Sequence, residues 1–183
     1  MKPELARSAS VAPDTVPMEM RLELILIPVS DVERAKLFYA GLGWSLDIDF
    51  SSGGDYRVVQ FTPPGSGCSI MFGAGITTAA LGPVQGLHLI VPDLVSARNL
   101  LLGRGIDVGE PFHDEGGVFH HVDPAKLTLG VNPERKSYAS YASFSDPDGN
   151  LWVLQEITAR LSSELEAGDP RFTPQIVAWL TGT

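Results

Sequence analysis

The sequence predicts an α+β fold of two tandem βαβββ modules forming a cupped mixed sheet with a central cleft, followed by a C-terminal helical tail. Three observations predict it. The chain matches itself at an offset of 62 residues. Each copy runs from an apolar strand through an aspartate into a short helix closed by glycine. After each helix come apolar, β-branched or aromatic runs separated by Pro and Gly, which read as strands joined by turns.

The repeat is seen by setting Val29-Ser30-Asp31 over Val91-Pro92-Asp93. Asp31 then matches Asp93, Ala35 matches Ala97, Lys36 matches Arg98, and Phe38-Tyr39 match Leu100-Leu101. Gly41 and Gly43 fall on Gly103 and Gly105. The first module is expected over 21–84, with strands at 22–29, 45–50, 56–62 and 69–72. The second is expected over 85–158, with strands at 87–91, 107–111, 138–144 and 151–157, and a long loop at 112–137. Apolar residues at three- and four-residue spacing (Val32, Ala35, Phe38, Tyr39, Leu42; Leu94, Ala97, Leu100, Leu101) give each helix one buried face. Residues 1–20 carry charges and prolines without an apolar stretch and read as a mobile leader. In the tail, 159–183, two short helices at 161–166 and 173–180 flank an Asp-Pro break. Ile176, Val177, Trp179 and Leu180 form an apolar face that must pack on its own domain or on a second subunit.

One helix cannot cover both faces of a four-stranded sheet. The uncovered faces of the two modules must therefore meet in a cleft or meet a partner chain.

Bulk composition narrows the partners. The 183 residues are 44% hydrophobic and 19% charged, as in an ordinary globular protein. A net charge of −9 argues against nucleic acid and anionic membranes, which need basic patches. No run approaches the ~20 apolar residues of a membrane span. The lone Cys68 excludes an internal disulfide and a multi-cysteine metal site, so a reducing cytoplasm is expected.

The stretches IPVSDVERAKLFYAGLGW and FSDPDGNLWVLQEI resemble the vicinal oxygen chelate superfamily: glyoxalases, bleomycin-resistance proteins and extradiol dioxygenases. FTPPGSGCSIMFG resembles bacterial proteins loosely labelled glyoxalases. The resemblance implies a cupped cleft, usually holding a divalent metal, and often a homodimer. It also implies where metal ligands would stand. In the first module that is Leu24, with Ser69 or Met71 on the fourth strand. In the second it is Gly86 or Leu87, and Val153 on the last strand. Metals in such sites need imidazole or carboxylate donors, which these positions lack. Glu23 and Glu156 lie nearby but at odd offsets, hence on the opposite strand face unless bulges intervene. No metal and no cofactor are therefore expected.

The remaining polar candidates are few. His88 shares the inward parity with Leu24's counterpart; it is either a core histidine satisfied by a hydrogen bond or a cleft-lining acid, base or anchor. The loop FHDEGGVFHH brings His113, Phe119, His120 and His121 together, three of the chain's four histidines. It is either a surface loop or a lid delivering His120 or His121 to a ligand. His88, His120 and His121 are the catalytic candidates. Leu24, Tyr56, Gln60, Met71, His113, Phe119, Val153 and Gln155 are the ligand-contact candidates. Val58 and Gln60 share one face of their strand and Arg57 the other, with the inward face undecided. Trp44 and Trp152 read as core.

Three functions stay open: a metal-independent protein that binds, or converts by histidine acid/base chemistry, a small organic ligand; a drug- or metabolite-sequestering protein; and a metal-dependent lyase, isomerase or dioxygenase with relocated ligands. Each expects a small-molecule ligand and a homodimer.

Overall fold

The computed structural model describes residues 20–114, 123–160 and 173–181. The first module contains β1 (Leu24–Leu26), α1 (Val32–Gly41), β2 (Ser45–Gly53), β3 (Tyr56–Thr62) and β4 (Ser69–Ala74). The second contains β5 (Leu87–Val91), α2 (Leu94–Gly103), β6 (Phe112–Asp114), a 3₁₀ turn (Pro124–Lys126), β7 (Leu127–Leu129), β8 (Ser140–Ser145) and β9 (Leu151–Glu156). α3 (Pro174–Thr181) follows. Each module has its own open mixed sheet, in the orders β1-β4-β3-β2 and β5-β9-β8-β6-β7. The first strand of each runs parallel to the last, β1 with β4 and β5 with β9.

The two helices begin and end as the repeat implies. Asp31 accepts a hydrogen bond from Arg34 N at 3.0 Å, and Asp93 from Ser96 N at 2.6 Å, each satisfying an orphan N–H of the first turn. Past the last turns, Gly43 and Gly105 take φ of +80° and +78°, the left-handed conformation that a side chain would oppose.

Two strands differ from expectation. β1 is shorter than 22–29, although Ser69 N to Glu23 O and Ile27 N to Met71 O (both 2.9 Å) extend its ladder. The second strand of the second module lies at Phe112–Asp114 instead of 107–111. Pro111 has no N–H to give a ladder, and Gly109 N to Ser143 O (2.9 Å) ties the earlier run to β8. The expected long loop is in part a hairpin, β6 pairing with β7. Its 115–122 portion lies outside the described residues, as does the expected helix at 161–166.

The helix-bearing faces of both modules share one core. Tyr39 of α1 is buried among Trp44, Phe61, Phe72 and Trp152, with ring centroids 5.3–6.2 Å away. Its hydroxyl donates to Asp146 Oδ2 at 2.8 Å, and Trp152 Nε1 donates to that hydroxyl at 3.3 Å. Asp146 opens the Asp-Pro-Asp-Gly-Asn turn between β8 and β9, so α1 of the first module is fastened to a hairpin of the second. Burial is the main cause that pushes the Tyr39 hydroxyl far above its usual range, with the Asp146 charge adding to it. Trp44 and Trp152 meet edge to face at 5.1 Å and are core residues, as expected.

With both helix faces inside, the other face of each sheet turns away from this core. On the first sheet and on β5 it leaves Leu26, Ile48, Phe50 and Ile90 between 40% and 58% exposed. Val177 of α3 is buried while Ile176 is exposed; the side chains of Trp179 and Leu180 lie outside the described residues. Among the described residues no helix is long and apolar enough to cross a membrane.

Candidate functional site

Strand register settles which side chains share the outward faces. In the first sheet Leu26, Met71, Gln60 and Ile48 form one cross-strand row, with Leu24 beside Ser69 and Val58 beside Gly73. Tyr56 has the same parity as Gln60. Arg57 therefore points to the helix side, where it donates to both carboxylate oxygens of Asp49 at 2.9 Å and pairs with Glu33 of α1. The Arg57 guanidinium, aided by Lys36, holds the Asp49 carboxyl down to about 2.

In the second sheet the outward face carries the row His88–Val153–Ser143 and the row Ile90–Gln155–Tyr141–Phe112. His88 is exposed, not a core histidine. Its Nδ1 lies 3.2 Å from Gln155 Oε1. Gln155 in turn donates through Nε2 to Tyr138 O at 3.2 Å and to Tyr141 Oη at 3.3 Å. Burial raises the Tyr141 hydroxyl to about 12, opposed by its bond to Gln155 and reinforced by Asp114. Phe112 stacks on Tyr141 with centroids 5.5 Å apart. Where β5 faces the β3–β4 turn, His88, Leu89 and Ile90 line a cleft of ≈ 230 Å³ with residues 63–66.

The structure thus brings His88, Val153 and Gln155 together on one sheet, and Leu24, Gln60 and Met71, with Tyr56 at the margin, on the other. It separates His113 from them. That side chain has the parity of Ser140, on the α2 side of the sheet, with Nδ1 2.9 Å from Gly130 O. Phe119, His120 and His121 lie outside the described residues, so the lid is not described. The sequence reading missed Tyr141 and Tyr138. Tyr141 had a signal, since it lies across from Gln155 once the hairpin is in register. Tyr138 had none: its φ of +68° is rare for a residue with a side chain, and no local motif demands it.

The donor chemistry does not fit the metal of the resembling enzymes. Leu24 and Val153 are hydrocarbon, Ser69 and Met71 carry a hydroxyl and a thioether, and Leu87 faces the core. His88 is the only imidazole on this face among the described residues. Glu156 is fully buried on the opposite face, where it accepts from Leu94 N at the start of α2 (2.9 Å) and from Arg135 (2.9 and 2.5 Å). Glu23 is exposed and has the parity opposite to Leu24. Among the described residues no group of three or more His, Cys, Asp or Glu could hold a metal ion.

No protein-family model matches the sequence, and no curated protein matches it. Solved structures do. TnmS3, an antibiotic binding protein from Streptomyces sp. CB03234, is 28% identical over 77% of this chain and 98% of its own, with a TM-score of 0.56. A glyoxalase/bleomycin resistance protein from the same Streptomyces strain is 29% identical over 74% of this chain and 100% of its own, at a TM-score of 0.52. A member of the glyoxalase/bleomycin resistance protein/dioxygenase superfamily from Sphaerobacter thermophilus DSM 20745 is 26% identical, covering 76% and 99%, at a TM-score of 0.56. With its paired βαβββ modules, its capped helices and its likeness to these proteins over nearly their full length, the chain belongs to the vicinal oxygen chelate superfamily.

Proposed function

We propose that the protein binds and sequesters a small organic molecule on its outward sheet faces, without a metal ion. The observation that carries this reading is the hydrocarbon at Leu24 and Val153, where the superfamily's enzymes hold metal donors. Leu24, Leu26 and Met71 with Gln60 on the first sheet, and Val153 and Ile90 with Gln155 and His88 on the second, give each outward face the composition of a ligand site, apolar with a few polar groups. The likeness to an antibiotic binding protein supports binding as an end in itself. A net charge of −9 favours a cationic ligand through long-range steering.

A second copy of the chain completes the site in this reading. Phe50, Ile48 and Ile90 are too exposed for a face meant to stay in water, and a partner sheet laid over them would enclose the cleft. Cys68 is a free thiol, which suits a reducing cytoplasm.

Histidine acid/base chemistry is the second reading, favoured by one observation: His88 is oriented by Gln155 as a catalytic base is oriented by a third group. Dialysis against zinc, nickel, manganese and iron, followed by desalting, separates the metal question. Retention well under one equivalent per chain is expected. Stoichiometric retention that disappears on changing Glu23, His88 or Glu156 would contradict the proposal.

A further inference from the structure

We propose that a second site, on the helix side of β5, binds a small monocarboxylate with a ring-sized apolar body and holds its head group by Arg104. This site does not depend on the outward faces being a ligand site.

A cavity of ≈ 220 Å³ opens where the end of α1, the β3–β4 turn, β5 and α2 meet. Trp44, Pro63, Leu89, Val91, Leu100 and Leu101 are among its walls, and Arg104 is the only charged residue lining it. It adjoins the cleft beside His88 at the β3–β4 turn and Leu89–Ile90, but α2 and the end of α1 line this cavity alone.

The internal repeat explains the space. At the offset of 62 residues, Leu89, Ala97, Leu100, Leu101 and Arg104 correspond to Ile27, Ala35, Phe38, Tyr39 and Leu42. In the first module the rings of Phe38 and Tyr39 pack edge to face, and Ile27, Ala35, Tyr39 and Leu42 are all buried. The second module has two leucines in place of the rings. Leu89 and Ala97 are then only half-buried, Leu100 is 57% exposed, and Arg104 stands exposed where its counterpart Leu42 is core. Of these five only Leu101 stays buried. Close packing ordinarily leaves few such voids, and an apolar cavity of about 150 Å³ already admits benzene.

The guanidinium supplies the head-group chemistry. Its Nη1 donates to Leu42 O, which turns the side chain across the junction of the modules, and Gly43, without a Cβ, leaves it room. Among the described residues no carboxylate pairs with Arg104. Its Nε–Nη2 edge therefore offers two parallel N–H groups, the fork that a planar carboxylate accepts bidentately. One cation selects a monoanion. A second charge on the ligand would stand unpaired, and the net charge of −9 would repel it. Because Arg104 is exposed, the ion pair contributes little by itself, and burial of the apolar body supplies most of the affinity.

The test titrates the full chain, labelled at Ala, Leu and Val methyls, with benzoate and with benzamide, which has the same ring and no charge. A probe this small should bind with a Kd of about 1 mM. Benzoate is expected to shift the methyls of Val91, Ala97, Leu100 and Leu101 saturably, about 5-fold more tightly than benzamide, the upper end for an exposed pair. Added salt should narrow that difference. Arg104→Gln should abolish the preference for benzoate. Leu100→Phe, which installs at an exposed position the ring that the first module has at Phe38, should block both probes with the fold intact. Equal affinities for the two probes, or a preference that survives Arg104→Gln, would overturn the assignment of the head group. Shifts at Leu24 and Val153 instead, or no shifts at all, would overturn the site. The reading of the outward faces is untouched by either result with α2 methyls, since different methyls report on it.

Discussion

Asp49 lies at the surface meeting of β2, β3 and α1, bonded to Arg57 and Lys36. Its folded pKa of about 2 lies below the ordinary 3.8. A depressed carboxyl stabilises the fold above the unfolded value, and the contribution is lost as pH falls through the folded one. Asp49→Asn should therefore cost stability at neutral pH and flatten the loss of stability between about pH 4 and pH 2. Because the cluster is solvated, the neutral-pH cost should stay below about 1 kcal/mol. Chemical denaturation of both proteins across that range checks it; an unchanged acid slope would show that the pairing is silent. Glu156 is the buried counterpart. Glu156→Leu removes a partner of the α2 N-terminus and of Arg135, and should cost about 2–4 kcal/mol, softened because Arg135 can turn to water. Urea melts of the variant would read this directly. At this scale the sequence was half legible. Strand alternation set Gln60 against Arg57 but could not say which faced the helix, because that depends on where Glu33 and Asp49 lie in three dimensions. The absence of a metal donor at Val153 was legible only through the resemblance, which puts a ligand at the fourth residue after the glycine of the Asp-Pro-Asp-Gly turn. The partnership of Gln155 with Tyr138 was not, because it depends on a left-handed residue that no motif announces.

The elements come from short-range rules, which is why most were readable. Asp31 and Asp93 cap, Gly43 and Gly105 release, and the apolar spacing between them faces the core. The two glycines nonetheless differ in surroundings. A Cβ on Gly105 meets nothing within 4 Å, whereas one on Gly43 would lie 2.1 Å from Arg104 Nη1. That guanidinium donates to Leu42 O at the end of α1. Gly105→Ala should cost about 1–2 kcal/mol for the left-handed backbone alone. Gly43→Ala should cost slightly more, since Arg104 must also leave its carbonyl, an increment kept small because that exposed side chain can turn to water. Thermal melts of the two variants compare them, and equal costs would mean that the Arg104 contact contributes nothing. The second module's second strand was misplaced because its apolar residues flank Pro111. Hydropathy marks a run as extended, whereas pairing needs an N–H in register with the neighbouring strand.

At the scale of the whole molecule, the repeat predicted two modules but not how they join. That is decided by Tyr39, Trp44, Phe144 and Trp152, whose rings place the helix faces in a shared core and leave the other sheet faces outward. Such an arrangement predicts a dimer. Sedimentation should give about twice the 19.6 kDa chain mass, and Phe50→Asp with Ile90→Asp should shift the population toward monomer while the fold persists. A monomer at all concentrations would leave the apolar faces unexplained. Binding of a small molecule to these faces without a metal is read out by methyl NMR, on protein labelled at Ile, Leu, Val and Met, held in a strong chelator and titrated with phenol. Saturable shifts are expected at Leu24, Leu26, Met71, Ile90 and Val153, with the core methyls of Ile70 and Leu94 unmoved. Shifts confined to the helix side, or appearing only after a divalent metal is restored, would contradict it.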